Sequence, residues 1–233
     1  LTIFLLLSDA NAYVRSLTGA GGAIYWNSPS VAFQANPNNS SGLSAAQVST
    51  VLRGVLDNWV AQGSSISYSF SESTGVNPVA ANDGVNAVYF ASNSGDQISF
   101  QIIAITQVTY YVSSGQIAGA DMVFNDNDYE FTDHAGDTGQ YDNVSGMLKI
   151  YLGDVATHEF GHAWGLDHST VLRSTLIYSV FSGQFNLGRD DRTAVRTLYP
   201  ASGSVAASGS ISGNVMGLNG GIFGAHVEAI NLS

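Results

Sequence analysis

Residues 158–168 read His-Glu-Phe-Gly-His-Ala-Trp-Gly-Leu-Asp-His, and the fold and chemistry of the chain are predicted mainly from this stretch. His158 and His162 are four residues apart, so on a helix their imidazoles lie on one face. Zinc binds histidine nitrogens at roughly 2.0–2.1 Å, and this spacing places two such nitrogens on one side of an ion. The pattern therefore predicts a helix that carries two zinc ligands.

Three further positions complete the predicted site. Glu159 is rotated by about 100° from His158 around the helix, so it can face the open side of the metal without being a ligand. There it can take a proton from the zinc-bound water and later pass it to a leaving amine. Gly165 can adopt the left-handed conformation that ends a helix and turns the chain back. His168 is then predicted as the third zinc ligand, which leaves one position for water and substrate.

The remaining sequence predicts an α+β domain, because strand-like runs come first and helices follow. A helix is predicted over 44–62, where apolar residues recur at helical spacing and Ser44 with Gln47 forms a capping-box pattern. Two more helices are predicted, over about 148–164 and about 190–198. Residues 126–146 are interpreted as a long loop. Strand-like runs lie at 22–35, 65–71, 86–91, 98–112 and 116–125, the last two forming a hairpin that turns at Ser114-Gly115.

The two ends of the chain are predicted to lie outside this domain, which is placed at residues 13–200. Residues 1–12 contain an apolar run followed by Ala-x-Ala and are interpreted as the remnant of a signal peptide, with a first β-strand as the alternative. A signal peptide predicts a secreted protein. Residues 201–210 are small and flexible, as in a linker. Residues 211–233 alternate apolar and polar and are interpreted as a truncated β-rich module, the start of a β-sandwich.

Composition restricts the partners. Seven Lys plus Arg against 18 Asp plus Glu give a formal net charge of −11, which disfavours nucleic acid and anionic membranes. Charged residues make up 11% of the chain against roughly 25% in an average domain, which favours an extracellular protein, and we expect a monomer. There are no cysteines, so thiol catalysis and thiolate metal sites are excluded.

The stretch from His158 to His168 resembles the metzincin zinc proteases, in which the third histidine follows a glycine. Other segments resemble the matrixin branch of that family, and the resemblance covers roughly residues 13–200. Thr175-Leu-Ile-Tyr-Ser179 is similar to the Met-turn, and Asp190-Asp191 with Leu198-Tyr-Pro200 is similar to the C-terminal helix. Gly119-Ala-Asp-Met-Val-Phe-Asn125 is similar to the edge strand that precedes the active-site helix.

This resemblance implies a zinc-dependent endopeptidase that hydrolyses internal bonds of extended polypeptides. A twisted, mostly parallel sheet with its helices would lie above a small irregular lower part, with the cleft between them. Substrate would lie along the edge strand, at about 117–125, by β-augmentation. The alternatives are a zinc hydrolase of another amide and a non-catalytic binding protein or adhesin. Retention of Glu159 and of all three histidines argues against the second alternative.

The chain departs from the matrixin pattern in three ways. Ile177 stands where the Met-turn has methionine, and an isoleucine can fill the same apolar floor beneath the metal. Val123 stands where the matrixin structural zinc site has histidine, so one catalytic zinc is expected. The cysteine switch that keeps many matrixins latent needs a cysteine, which this chain lacks.

Calcium is a second possible cofactor, with a solvated acidic loop as the alternative. The acidic residues concerned are Asp121, Asp126, Asp128, Glu130, Asp133, Asp137 and Asp142, with no Lys or Arg among them. His134 is interpreted as a surface or hydrogen-bonded histidine and His226 as structural. Tyr178 is either a wall of the specificity pocket or a core tyrosine. Asp190 and Asp191 are interpreted as acids that complement a helix dipole.

Overall fold

The computed structural model describes residues 13–75, 83–95 and 98–203, with the backbone of 216–217 and 220–221. Its main sheet has five strands in the order β2-β1-β3-β5-β4. Strand β4 is antiparallel to β5, and all other pairs are parallel. The predicted α+β class with a mostly parallel sheet is therefore confirmed. The strands are β1 (Ser30–Ala35), β2 (Ser67–Glu72), β3 (Ala87–Phe90), β4 (Ala104–Tyr110) and β5 (Ile117–Phe124).

The three predicted helices are present, together with a four-residue helix that was not predicted. In order they are α1 (Ala45–Val60), α2 (Ala91–Ser94), α3 (Leu152–Ala163) and α4 (Arg189–Leu198). The capping box is confirmed, because Ser44 Oγ accepts from the Gln47 amide while the Gln47 side chain accepts from the Ser44 amide. Because the apolar positions of α1 recur at helical spacing, one side of the helix is buried in the core.

Aromatic side chains from the sheet and from helix α3 meet in the core. Phe33 of β1 packs edge-on against Phe160, with ring centroids 5.0 Å apart, and against Trp164, at 5.7 Å. Trp59 of α1 is fully buried and donates its indole N–H to the Thr157 carbonyl at 3.1 Å. Helix α3 is thereby fixed between β1 and α1, and this packing holds its histidines at the surface of the core.

A second sheet corrects two predictions. Strands β6 (Tyr129–Thr132), β7 (Gln140–Tyr141) and β8 (Leu148–Tyr151) pair in the order β6-β8-β7. The loop predicted over 126–146 therefore contains two strands, and the helix predicted from 148 begins at Leu152. Both segments form strands because Phe131 and Ile150 are buried in the core. These two residues lie opposite each other where β6 and β8 pair in parallel. Such pairing is not visible in runs of four residues.

The edge strand also differs from the prediction. Strand β5 is paired on both sides, with Met122 opposite Val88 of β3 and opposite Thr106 of β4. The edge of the sheet beside helix α3 is therefore β4, and the interpretation of 117–125 as the edge strand is wrong. The hairpin between these strands turns at Ser114-Gly115 as predicted. The position of β5 between β3 and β4 depends on its parallel pairing with β3. Local sequence does not reveal that pairing.

The ends of the chain lie largely outside the described residues. The signal-peptide interpretation of 1–12 falls there, as do most of the predicted linker and β-rich module. Two short strands, β9 (Met216–Gly217) and β10 (Gly220–Gly221), pair antiparallel. Pro200 forms a bridge with Ser64, so the chain is still part of the folded domain at that residue. Among the described residues, none of the helices has the length and apolar character needed to cross a membrane.

Candidate metal centre

The structure brings the three predicted histidines together in one cluster. Helix α3 presents His158 and His162, whose Nε2 atoms are 3.0 Å apart, and His168 Nε2 lies 3.2 Å from His158 Nε2. Two nitrogens bound tetrahedrally to zinc at 2.0–2.1 Å would be about 3.3 Å apart. The three ligand atoms all lie within 4.8 Å of one another. The spacing therefore suits one zinc ion with a fourth position left open.

The other ring nitrogens fix the orientation of two of these imidazoles. His158 Nδ1 lies 2.8 Å from the Thr175 carbonyl oxygen, and His162 Nδ1 lies 2.9 Å from the Leu166 carbonyl oxygen. A carbonyl only accepts, so each Nδ1 carries the proton and each Nε2 keeps its lone pair for a metal.

His168 is held differently. Its Nδ1 is 3.9 Å from a carboxylate oxygen of Asp167, and its ring stacks on Tyr178 with centroids 4.0 Å apart. Stacking and a long electrostatic contact restrain this ring less than a short hydrogen bond does. The third histidine is therefore the least constrained of the set.

Gly165 turns the chain so that His168 reaches the other two histidines. Its φ is +85°, in the left-handed region, and a Cβ placed there would lie 2.3 Å from the Ile24 carbonyl oxygen. The Gly165 amide donates to His162 O, and the Leu166 amide donates to Gly161 O. This pair of bonds is the Schellman arrangement that ends helices. The predicted role of the glycine is confirmed, and the close approach of Ile24 adds a second reason for it.

Burial lowers the pKa of all three histidines. For His158 the pKa falls to about 3, mainly by desolvation and then by its histidine neighbours. Desolvation is also the main cause of the lowered pKa values of His162 and His168. The imidazoles are therefore neutral at neutral pH, which is the form that binds metal ions.

Glu159 lies beside the cluster with a buried side chain. Desolvation raises its pKa from 4.5 to about 7, and a hydrogen bond from Thr106 partly offsets this shift. The Thr106 hydroxyl donates to Glu159 Oε2 at 2.6 Å. No sequence pattern pointed to Thr106, since the contact joins strand β4 to helix α3 across 53 positions.

These residues open into a cleft of about 630 Å³ that runs along strand β4. Its apolar walls include Ile103, Val108, Val155 and Val180. The histidine cluster and Glu159 lie in its wall together with further polar residues, among them Gln101, Thr106 and Gln184. Such a cleft suits a ligand with apolar side chains and a polar centre.

Comparison with known proteins agrees with this site. The profile of the matrixin family matches residues 25–200. The chain belongs to the matrixin family. A 62-residue stretch, 25% of this chain, is 48% identical to the hatching enzyme of Paracentrotus lividus and covers 10% of that protein. Matrixins are zinc-dependent metalloproteases, so the family supports peptide substrates and a zinc cofactor.

The Met-turn segment of this matrixin domain lies against the metal centre. Ile177 is half-buried and lines the cleft, as does Tyr178. Tyr178 is 77% exposed, so the alternative of a core tyrosine is wrong. Leu176 is buried against helix α3, where a Cβ at Gly161 would lie 2.7 Å from it.

Buried polar groups hold this segment, and sequence reasoning did not foresee them. Asp191 lies in the first turn of α4 as predicted. Its carboxylate accepts from Ser174 Oγ at 2.7 Å, from the Thr175 amide at 2.9 Å and from the Gly188 amide at 2.7 Å. The Thr175 carbonyl in turn accepts from Gln184 at 2.6 Å and faces His158. Asp191 therefore supports Thr175, whose carbonyl orients His158, in addition to complementing the helix dipole.

The acidic residues proposed for calcium do not converge. Asp126 accepts from the amides of Ser40 and Ser92, and Asp133 accepts from Gln47. Among the described residues, the three histidines form the one cluster of three or more His, Asp or Glu with metal-ligand spacing. Calcium stays a prediction without a defined site. His134 is exposed beside Asp133, as the sequence interpretation had it.

Proposed function

We propose that this matrixin domain is a secreted zinc-dependent endopeptidase, with His158, His162 and His168 as zinc ligands and Glu159 as general base. The observation that supports it most strongly is the convergence of three neutral imidazoles beside a buried carboxylate. Secretion is proposed from the apolar residues 1–7 followed by Ala10-x-Ala12. The catalytic domain is proposed to end near Pro200, where the matrixin match also ends.

The donor set fits zinc. Three histidine nitrogens with one open position are a known arrangement for catalytic zinc. When bound, zinc supplies Lewis acidity that polarises a water molecule and a carbonyl oxygen. We expect one zinc per chain, because Val123 occupies the position of a structural-site histidine.

Glu159 supplies the proton transfers. Its carboxylate accepts a proton from the attacking water and then donates this proton to the amine nitrogen of the departing peptide. In the metal-free site, burial raises the pKa of this carboxyl group above its ordinary value, which makes it a stronger proton acceptor. The apolar walls of the cleft reduce competition from bulk water.

Strand β4 offers a binding edge for an extended substrate. It is one of the two edge strands of the main sheet, and Ala104, Thr106 and Val108 line the cleft. An extended peptide can pair with this edge through its backbone, and alternate side chains then enter the cleft. This arrangement favours cleavage of unfolded segments over folded ones.

The decisive experiment compares the parent protein with Glu159→Gln on an unfolded protein substrate. We expect the parent to cleave in a chelator-sensitive manner and to hold one zinc by metal analysis. Glu159→Gln should keep the zinc and lose about 10²–10⁴ in turnover. Glu72→Gln, an exposed change on β2, is the matched control and should behave as the parent.

Three results would count against the proposal. Near-parent turnover by Glu159→Gln would remove Glu159 as the base. A parent that holds zinc but cleaves no peptide bond would favour the binding-protein alternative. Two zinc ions per chain that survive dialysis would contradict the single site.

A further inference from the structure

One hydroxyl group contacts the carboxylate of Glu159. Thr106 Oγ1 lies 2.6 Å from Glu159 Oε2 and 3.1 Å from the Glu159 backbone oxygen. Within the described parts of the chain, no other side chain is hydrogen-bonded to this carboxylate. The contact joins strand β4, which borders the cleft, to helix α3, which carries the metal-binding histidines. It therefore links the substrate-facing strand to the residue proposed to move the proton.

We propose that Thr106 is a positioning residue for catalysis. Its hydroxyl holds Oε2, so that Oε1 is the oxygen presented to the water that loses its proton. The inference rests on the proposed role of Glu159 as general base. It adds a residue that neither the sequence motif nor the three histidines indicate.

The geometry of Thr106 makes it suited to this task. A glutamate has three side-chain torsions, so a single fixed donor removes much of the freedom of its carboxylate. Thr106 is itself fixed, because its backbone pairs with Met122 of β5 and β-branching restricts its χ1 angle. Reactions of this kind lose about 10²-fold in rate when a reacting group is misplaced by about 1 Å.

The neighbours on the strand argue for a specific role of the hydroxyl. Ala104 and Val108, two residues away on either side, are apolar and line the same cleft. Packing of β4 against α3 therefore does not require a polar side chain at position 106. The Thr106 hydroxyl instead donates to Glu159, the residue to which we assign proton transfer.

Four variants test the inference, with kcat, KM and zinc content measured for each. Thr106→Val replaces the hydroxyl by a methyl group and should lower kcat on the order of 10- to 100-fold, the effect of one hydrogen bond to a charged group. Zinc content should equal that of the parent, and KM should change by less than about twofold. Thr106→Ser should stay within about threefold of the parent, because it keeps the donor. Thr106→Ala should resemble Thr106→Val.

Thr132→Val is the matched control. It is the same substitution on a strand of the second sheet, where the Thr132 hydroxyl is buried without a hydrogen-bond partner. Parent-like kcat is expected for it. If Thr106→Val fails to fold or to hold zinc, the comparison of Thr106→Ser with Thr106→Ala decides, because these two differ by one oxygen atom.

Three results would overturn the inference. Equal losses in the serine and alanine variants would assign the effect to the lost methyl group. Parent-like kcat in Thr106→Val would leave no positioning role. A raised KM with unchanged kcat would make Thr106 a substrate contact. Each of these leaves Glu159→Gln inactive, whereas an active Glu159→Gln would overturn the proposed function itself.

Discussion

Two regions of this matrixin domain support the metal centre in different ways. The first, the sheet region, comprises β1–β5 with α1 and α3, and apolar and aromatic side chains hold it together. The second, the lower segment, comprises residues 166–188, which are all described and contain no helix or strand. In the lower segment, Leu166, Leu176 and Leu187 reach the same core, and hydrogen bonds to buried carboxylates hold the backbone between them. Asp191 binds its Ser174-Thr175 part, and Asp154 accepts from the amides of Gly183 and Phe185.

This difference divides the three histidines proposed as zinc ligands. His158 and His162 come from a helix fixed by packing, while His168 comes from the segment fixed by polar contacts. Loss of packing should therefore lower global stability and leave the local geometry of the centre intact. Loss of a polar contact in the lower segment should disturb the third ligand directly. Stability and zinc affinity are thus expected to respond to different substitutions.

The largest effect is expected at Gly165, where the two regions join. Gly165→Ala places a Cβ 2.3 Å from the Ile24 carbonyl oxygen at a φ of +85°, so it should lower the free energy of unfolding by about 4 kcal/mol and abolish zinc binding. Gly42→Ala is the control, since φ is +80° there and the space is open; it should cost about 1 kcal/mol. Urea unfolding and metal analysis measure both. Equal costs would show that the approach of Ile24 is unimportant.

In the sheet region, the buried carboxyl group of Glu159 should make the stability of the metal-free protein depend on pH. Its folded pKa of about 7 exceeds the ordinary 4.5, so its contribution to stability is complete below about pH 4.5 and is lost as the pH rises through 7. Glutamine stays neutral, and Glu159→Gln should therefore be more stable than the parent by about 3 kcal/mol at pH 8. The difference should shrink to about 1 kcal/mol at pH 5. Urea unfolding at both pH values checks this, and identical stabilities at pH 8 would mean that the carboxylate is well solvated.

Two substitutions of similar expected cost, Asp191→Ala and Leu56→Ala, compare how the two regions affect zinc affinity. Asp191→Ala leaves the buried Thr175 amide and Ser174 hydroxyl without their acceptor and should cost about 3 kcal/mol, with zinc affinity at least about tenfold weaker. Leu56→Ala, in the packed part of α1, should cost about 3 kcal/mol as well. Its zinc affinity, measured by competition with a chelator on folded protein, should match the parent. If both variants weaken zinc equally, the two regions are not independent.

The smallest effect is expected at Ile177, beneath the metal centre in the lower segment. Isoleucine and methionine are both apolar and of similar size, so the exchange should cost less than about 1.5 kcal/mol. Ile177→Met should therefore keep zinc content and peptide hydrolysis within about tenfold of the parent. A parent without zinc or activity, both gained by Ile177→Met, would indicate a decayed family member.

The sequence predicted the features that depend on local spacing. Helix α1 followed from its apolar repeat and from Ser44 with Gln47, and the turn at Gly165 followed from the glycine itself. The convergence of the three histidines required only a helix and that turn. Each of these features depends on spacings between residues that are close together in the sequence.

Features that depend on distant residues were missed. Strands β6 and β8 have four residues each, too few to show a period, and their pairing brings 129–132 against 148–151. The identity of the edge strand depends on β3 pairing with β5. Thr106 and Asp191 carry ordinary side chains whose roles arise only from partners that the fold brings near. No local pattern distinguishes them from other threonines or aspartates.

The looser hold on His168 has a kinetic consequence. Two imidazoles are bound to carbonyl oxygens at 2.8 and 2.9 Å, whereas the third has a carboxylate at 3.9 Å and a stacked, mostly exposed tyrosine. A multidentate complex dissociates stepwise, and the donor with the lowest barrier to rotation leaves first. In the proposed zinc site, His168 should therefore release the metal first, and the rate at which a chelator removes zinc should report the motion of this one ring.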